Sequence, residues 1–431
     1  MPSFARDTRS VGISKILIIV LSLAKSVIIA RWLGPDANGV IAALAVYPSL
    51  FMTFGSLGIR QAVTFFVGCG KYTVEEVKTA VVQIWTLSTI VSVAACYLMI
   101  TRLTSIGDNK WYVLLAIMPV PFTLFNTYNT GIFLGQNKIK QFSQVNWLPN
   151  GFSLATVVFL VVALEKGIEG ALLAGSVGAL CTSVILLLGF EFFSNFKMVL
   201  NWHLIKSLLR LGIVYAVALL IINLNYKVDV IMLDRLSSAS ELGIYSKGVN
   251  IVEYLWQIPM LFSSVVFARS ANAKDKKLFS TKAVRLMQLS FIAVGIGCLG
   301  LAIFSDKIVK LLYGNEFARS STVMQILLPG VAILTAFKVL NVDLAGRGKP
   351  MLALKAMLPA LLINVLLNMF LIPAHGCFGA SVASTVSYAF AGILFLFVYA
   401  KETGIPKYSL VTLEWATFEE FLFSLGLKKS H

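Results

Sequence analysis

Twelve apolar segments, each long enough to cross a lipid bilayer, constrain the fold of this chain more than any other feature. A hydrocarbon core of roughly 30 Å requires about 20 apolar residues in a helix. Backbone groups find no water there, so such segments fold as helices that satisfy their own hydrogen bonds. The sequence predicts an all-α polytopic membrane protein with helices near residues 11–32, 39–67, 77–100, 111–134, 142–164, 168–193, 207–235, 241–269, 281–304, 320–343, 351–373 and 377–400.

The connections between the segments are short, which leaves no room for a sizeable soluble domain. We expect an N-terminal six-helix lobe (1–195), an interfacial linker (196–206), a C-terminal six-helix lobe (207–400) and an amphipathic cytoplasmic tail (401–431). The first apolar run is long and lacks a small-residue cleavage site, so it is interpreted as a membrane helix rather than a signal peptide.

Composition agrees with a membrane protein: 58% of the 431 residues are hydrophobic and 13% are charged, which excludes an ordinary soluble enzyme. The net charge of +16 comes from Lys and Arg concentrated in the even-numbered connections and near both ends. Positive residues favour the cytoplasmic side, so both termini are predicted in the cytoplasm. Topology thus explains the basic charge, and no nucleic-acid partner is expected.

The two halves of the chain contain matching stretches in the same order. The first pair lies 204 residues apart, and the matches are Arg31–Val40 with Arg235–Ile244, Gly135–Lys138 with Gly346–Lys349, Leu148–Pro149 with Leu358–Pro359, and Gly170–Ala171 with Gly379–Ala380. The alternative is that apolar helices resemble one another by composition alone. A duplication gives two pseudo-symmetric lobes around a central cavity, with the substrate site at the repeat interface.

Polar stripes mark equivalent faces of the second helix in each half. The spacing i, i+4, i+7, i+11 places residues on one face of a helix, and it is followed by Ser49, Thr53, Ser56 and Arg60 and by Ser246, Asn250, Glu253 and Gln257. The offset of 204 residues pairs Ser49 with Glu253 and Thr53 with Gln257. Ionised groups are costly in lipid, so both stripes are predicted to face the central cavity.

A resemblance to a known family lies in several short stretches, namely Ala30–Pro35, Gly39, Asp229, Met232-Leu233, Gly243–Ser246, Ile258-Pro259 and Leu312–Phe317. In these stretches the chain resembles the polysaccharide (O-antigen type) flippases of the multidrug/oligosaccharidyl-lipid/polysaccharide exporter superfamily. It departs from them at Ala268, where such proteins often have a proline. The resemblance implies a transporter, not an enzyme, that exports undecaprenyl-pyrophosphate-linked oligosaccharide by alternating access. It also implies contact with membrane lipids and with a polysaccharide polymerase and chain-length proteins.

A pyrophosphate needs cations, and sugars need hydroxyl or amide partners. The candidate cations are Lys25, Arg60, Lys227, Lys247 and Lys338. The candidate sugar ligands are Ser49, Thr53, Asn126, Asn146, Asn150, Asn250 and Gln257. No spacing of a metal site or of an ATP-binding loop is present, so no cofactor is expected. A proton or Na⁺ could serve as counter-ion on the intramembrane carboxylates Asp229, Glu253 and Asp343.

Several alternatives remain open. Lys227 could pair with Asp229, Asp234 or Glu253, Lys338 could pair with Asp343, and Arg60 could extend to the interface. A peptidoglycan lipid-precursor flippase also carries pyrophosphate, and a multidrug cation antiporter of the same superfamily would instead need an acidic, aromatic pocket. A membrane-embedded glycosyltransferase is disfavoured because the outer connections are too short for a catalytic loop.

Overall fold

The computed structural model describes residues 2–68, 70, 72–136, 138–189, 201–260, 263–271, 273 and 275–412. Parts of the predicted linker and most of the predicted tail therefore lie outside the described residues. The helices are α1 (Pro2–Gly55), α2 (Ile59–Gly68), α3 (Val74–Leu103), α4 (Lys110–Ile117), α5 (Pro119–Gly135), α6 (Ile139–Val157), α7 (Gly167–Gly189), α8 (Trp202–Leu236), α9 (Ala239–Glu253), α10 (Gln257–Met260), α11 (Ser263–Ala271), α12 (Lys276–Tyr313), α13 (Ser320–Gly346), α14 (Leu354–Thr403) and α15 (Lys407–Val411).

Among the described residues, nine helical runs are long and apolar enough to cross a membrane. The predicted all-helical class is confirmed. Two of the runs bend sharply at glycines with positive φ, Gly34 in α1 (φ 71) and Gly376 in α14 (φ 53). Glycine adopts this backbone region without a Cβ penalty. Each bend separates two segments that the sequence predicts as separate helices, and the count of twelve stays a prediction.

The predicted helix over 241–269 is wrong in one respect, because it is not continuous. α9 ends at Glu253, a 3₁₀ turn follows over Tyr254–Trp256, and α10 begins at Gln257. Pro259 lacks the amide hydrogen that would bond to the carbonyl group four residues earlier. The predicted polar stripe is therefore divided, with Gln257 beyond the interruption.

The second apolar segment of the first half is also interrupted. Leu57 and Gly58 adopt positive φ values of 47 and 59 between the end of α1 and the start of α2. Arg60 follows this turn, so the stripe that begins at Ser49 does not run along one uninterrupted helix. In each half, the last member of the stripe lies beyond a helix interruption.

The first compact unit, Met1–Gly243, surrounds an apolar core that includes Leu44, Val81, Leu124 and Tyr128. α8 belongs to this unit. Its residues Leu204, Ile205 and Leu208 are part of the same core, and its Gly212 lies against the backbone of Leu57 and Gly58. The core of the first unit thus extends past the linker predicted at 196–206. The division into two six-helix lobes stays a prediction that rests on the sequence repeat.

The second compact unit, Ile244–His431, is built around α13. Most of this helix is buried, and its Phe337 packs edge-to-face on Phe395 of α14 with ring centroids 4.7 Å apart. The ring centroids of Trp256 and Tyr388 are 5.7 Å apart, and Trp256 Nε1 donates to the Val331 carbonyl over 3.1 Å. Aromatic contacts of this kind add to the burial of apolar area.

Gly330 tests the packing of α13 on α14. A Cβ atom there would lie 2.8 Å from the Thr385 Cα and 2.9 Å from its carbonyl oxygen. Gly330→Ala should lower the free energy of unfolding by about 1–3 kcal/mol, because the two backbones must separate. Gly300→Ala is the control, since a Cβ there meets no atom within 4 Å. Its added helix propensity should raise stability by up to ~1 kcal/mol. The measurement is thermal unfolding in detergent. Equal stability of the two variants would contradict close packing of α13 on α14 at Gly330.

Candidate substrate site

Polar side chains of α1 and α6 meet along one line of contact in the first unit, which we name the α1–α6 seam. The Lys25 ammonium donates to Ser153 Oγ over 3.3 Å, and Ser22 Oγ donates to Asn150 Oδ1 over 3.1 Å. The structure thus brings together two residues that the sequence predicts for different parts of the cargo, Lys25 for phosphate and Asn150 for sugar. A cation with adjacent hydroxyl and amide groups can bind both chemistries.

Two predicted cations of this unit have no acidic partner among the residues that the structure describes. No carboxylate of the described residues lies within 4 Å of the Lys25 ammonium or the Arg60 guanidinium. Both side chains are half-buried, in α1 and α2 respectively. A serine hydroxyl solvates an ammonium without neutralising it, so positive charge remains at the α1–α6 seam. Ionisable groups retained within apolar helices mark substrate or ion pathways by default.

Lys227 and Asp229 lie in the same unit, on α8. Lys227 is half-buried and Asp229 is fully buried, together with Asn225 one turn earlier. Their predicted roles in phosphate binding and ion coupling stay predictions.

The predicted sugar ligands Asn126 and Asn146 are engaged in bonds inside their own unit. Asn126 donates to the Ala179 carbonyl over 3.0 Å and accepts from Ser183 Oγ over 2.9 Å, which links α5 to α7. Asn146 donates to the Phe142 carbonyl of its own helix over 2.7 Å. Such amide groups hold helices together in an apolar medium.

Ser49 and Thr53 use their hydroxyl protons within α1. Ser49 Oγ donates to the Val46 carbonyl over 2.7 Å, and Thr53 Oγ1 donates to the Ser49 carbonyl over 2.9 Å. Each hydroxyl oxygen retains acceptor capacity. In this arrangement these two residues can accept hydrogen bonds from sugar hydroxyls but not donate to them.

The predicted cations of the second unit lie beside aromatic rings. The Lys338 ammonium is 4.0 Å from the Trp256 ring centroid, and that of Lys247, which is buried, is 5.5 Å from the Tyr313 ring centroid. The face of an aromatic ring attracts a cation. The remaining candidates of α9 and α10 are half-buried, namely Asn250, Glu253 and Gln257.

Asp343 is fully buried in the last turns of α13 and is surrounded by donors of its own unit. It accepts from Arg347 Nε over 3.0 Å and from the Tyr399 hydroxyl over 2.6 Å. Ser280 Oγ donates over 3.1 Å, and Ser270 Oγ donates to the same carboxylate. We name this group the Asp343 cluster. The ion pair joins Asp343 to Arg347, and the geometry explains the carboxylate as a link between α11, α12, α13 and α14.

Sequence reasoning missed several partners in these arrangements, including Ser270 and Ser280 of the Asp343 cluster. Arg347 was considered only as part of a repeated stretch, and Tyr399 and Ser22 were not considered. A signal existed for Ser22, because it shares a helix face with Lys25 at spacing i, i+3. The same spacing relates Asn150 to Ser153. No sequence signal connects Tyr399 with Asp343, because their contact depends on how α14 packs on α13.

The turn after α3 is held by the end of α8. Arg235 donates to the carbonyl groups of Arg102 and Leu103 over 2.5 and 2.7 Å. Asp234 accepts from the backbone amide of Ser105 over 3.0 Å. The Arg235 side chain therefore binds carbonyls that the end of a helix leaves without partners.

Two solved structures with a similar fold carry the names of transporters. The chain is similar to the lipid II flippase MurJ in an inward closed conformation, with a TM-score of 0.74, 14% identity and coverage of 98% of this chain and 93% of that one. It is also similar to an inward-facing multidrug resistance transporter of the MATE family, with a TM-score of 0.71, 12% identity and coverage of 91% and 98%. At such identities the similarity shows the fold alone.

The family is shown by sequence. The chain matches the family model described as polysaccharide biosynthesis protein over residues 4–273, and the MatE model over residues 215–370. This protein therefore belongs to the polysaccharide biosynthesis protein family, and the predicted resemblance to flippases of the exporter superfamily is confirmed.

Two curated relatives carry names from glycan biosynthesis. The chain is 24% identical over 200 residues to the probable low-salt glycan biosynthesis flippase of Haloferax volcanii, covering 46% of this chain and 42% of the relative. It is 26% identical over 186 residues to a capsular polysaccharide biosynthesis protein of Staphylococcus aureus, covering 42% and 46%. The chain thus spans less than half the length of these relatives.

The Asp343 cluster makes a testable prediction about stability. Asp343→Asn would leave the Arg347 guanidinium, whose side chain is 9% exposed, without its acidic partner. Removal of one partner of a buried pair costs about 3–5 kcal/mol. We expect a loss of this size in the free energy of unfolding, measured by thermal denaturation of the purified protein.

Asp306→Asn is the matched control in the same unit. Asp306 pairs with Lys310 over 2.9 Å, but the two side chains are 58% and 46% exposed. An exposed pair contributes about 0–1 kcal/mol. If Asp343→Asn were as stable as this control and only transport were lost, Asp343 would act as an ion carrier rather than as a structural link.

Proposed function

We propose that this protein translocates an undecaprenyl-pyrophosphate-linked oligosaccharide repeat unit from the inner to the outer leaflet of the cytoplasmic membrane, for surface polysaccharide biosynthesis. The observation that carries the proposal is the α1–α6 seam, where Lys25 has no carboxylate partner among the described residues. Family membership and the names of the relatives support the class of cargo.

The seam fits the chemistry of such a cargo. A pyrophosphate brings negative charge that the unneutralised ammonium of Lys25 can balance in a medium of low dielectric constant. The neighbouring Ser22 and Asn150 supply hydroxyl and amide groups of the kind that bind sugars. A lipophilic cation would instead be repelled at this position, which disfavours the multidrug alternative.

We propose that the cargo moves by alternating access. The negative charge of the cargo can supply part of the free energy of export. A membrane potential is worth about 2.3 kcal/mol per charge per 100 mV, so two phosphate charges that leave a negative interior would gain about 4–5 kcal/mol. We further propose that Asp229 or Glu253 carries a proton or Na⁺ in exchange, and that a polymerase receives the cargo.

The test is complementation of cells that lack this protein. Lys25→Gln removes the charge that faces Ser153, and a hydrogen bond to a charged group is worth about 1.5–3 kcal/mol. We expect surface polysaccharide production to fall about tenfold or more, with lipid-linked repeat units accumulating at the inner leaflet. Lys25→Arg should retain most of the activity because it keeps the charge.

Lys307→Gln serves as the matched control, since it removes an exposed lysine of the second unit. It should leave both readouts unchanged. Normal surface glycan in Lys25→Gln cells with correctly inserted protein would contradict a phosphate role for Lys25. If loss of the protein halted peptidoglycan synthesis instead, the cargo would be the peptidoglycan lipid precursor.

Counter-ion coupling predicts a separate result. In vesicles that contain the purified protein, Asp229→Asn should abolish any stimulation of lipid-linked cargo movement by an imposed pH or Na⁺ gradient, while stimulation by a potential persists. The measurement is enzymatic access to the cargo from outside the vesicle. Equal stimulation of both proteins by the ion gradient would exclude Asp229 as the carrier.

A further inference from the structure

A pocket of 530 Å³ lies where α14 ends in the second unit. The helix stops at Gly404, which has a left-handed conformation (φ 69), and the chain turns through Pro406 into α15. The pocket has Phe397 and Ile405 as apolar walls and Lys401 and Lys407 as its cationic residues. Its volume is within the range that holds a small ligand.

The two lysines of the pocket carry charge that the described chain leaves uncompensated. No carboxylate of the described residues lies within 4 Å of either ammonium, because the nearby Glu402 is bound to Lys349. Lys401 lies in the last turn of α14, where the helix dipole favours a cation. That effect does not account for Lys407, which lies beyond the helix end with its ammonium 5.1 Å from the Phe397 ring centroid.

An exposed apolar stripe on α14 leads directly to these lysines. Its members follow at intervals of three and four residues on one helix face, are 38–49% exposed, and are Val382, Val386, Phe390, Ile393 and Phe397. Lys401 continues the same face one turn further. At 1.5 Å per residue the stripe is about 22 Å long, so it exceeds the ~15 Å that one leaflet contributes to a hydrocarbon core of roughly 30 Å. Acyl chains of one leaflet can therefore cover the part of the stripe nearest Lys401.

We propose that this pocket binds the headgroup of an anionic glycerophospholipid whose acyl chains lie along the α14 stripe. The phosphate is placed between Lys401 and Lys407, and the apolar chains extend along the exposed face from Phe397 towards Val382. A zwitterionic lipid carries its own cation, which the two lysines repel. Free phosphate has no chain to place on the stripe, so the combination of charge and apolar surface selects an acidic lipid.

The experiment uses the full-length purified protein, delipidated in detergent. Dioleoyl phosphatidylglycerol should raise the melting temperature with increasing concentration, as ligands that bind only the folded state do. Dioleoyl phosphatidylcholine and inorganic phosphate should give little shift. Lys401→Gln combined with Lys407→Gln should weaken phosphatidylglycerol binding about tenfold or more, as measured by native mass spectrometry.

Two further variants separate charge from structure. The double variant Lys401→Arg with Lys407→Arg should retain lipid binding. The double variant Lys307→Gln with Lys310→Gln removes two charges near the C-terminal end of α12 and should leave lipid binding unchanged. Equal shifts from both lipids, or preference for phosphatidylglycerol in the double Gln variant, would overturn the proposal. A shift produced by inorganic phosphate alone would overturn the lipid assignment. None of these readouts requires transport activity.

Discussion

The cost of holding an ionised side chain among apolar helices is met in three different ways in this chain. Asp343 pairs with Arg347 and accepts further hydrogen bonds, so its charge is fully compensated inside one unit. Lys338 lies against the face of Trp256. Lys25 contacts a serine hydroxyl, and no carboxylate of the described chain is near it. Uncompensated buried charge is expensive, so its retention in α1 distinguishes the α1–α6 seam from the Asp343 cluster.

Helix interruptions affect both polar stripes. Leu57 and Gly58 break the helix before Arg60, and the 3₁₀ turn at Tyr254–Trp256 precedes Gln257. Within a bilayer, irregular backbone is tolerated only where protein or water covers it. The orientation of the last polar side chain of each stripe, Arg60 or Gln257, is therefore not fixed by the helix that carries the other members. Interruptions of this kind are also typical of binding regions in secondary transporters.

Apolar runs were sufficient to predict the helical class, because each run must satisfy its own backbone hydrogen bonds. They also indicated the bends at Gly34 and Gly376 as boundaries. The interruption near Gln257 was missed, although Pro259 was a visible signal. The contact of Lys25 with Ser153 could not be predicted, since it depends on which helices are neighbours. The pairing of Asp343 with Arg347 has the helical spacing i, i+4, but its links to Ser270 and Tyr399 are tertiary.

The placement of α8 has an implication for dissecting the chain. In the predicted repeat this helix opens the second half, yet its Leu204 and Leu208 complete the core of the first unit and its Arg235 secures the turn after α3. A fragment cut at the repeat boundary would expose an apolar surface and remove the Arg235 donor from the carbonyls of Arg102 and Leu103. A fragment that ends at Ser238, between α8 and α9, keeps both, so coexpressed halves should be divided there.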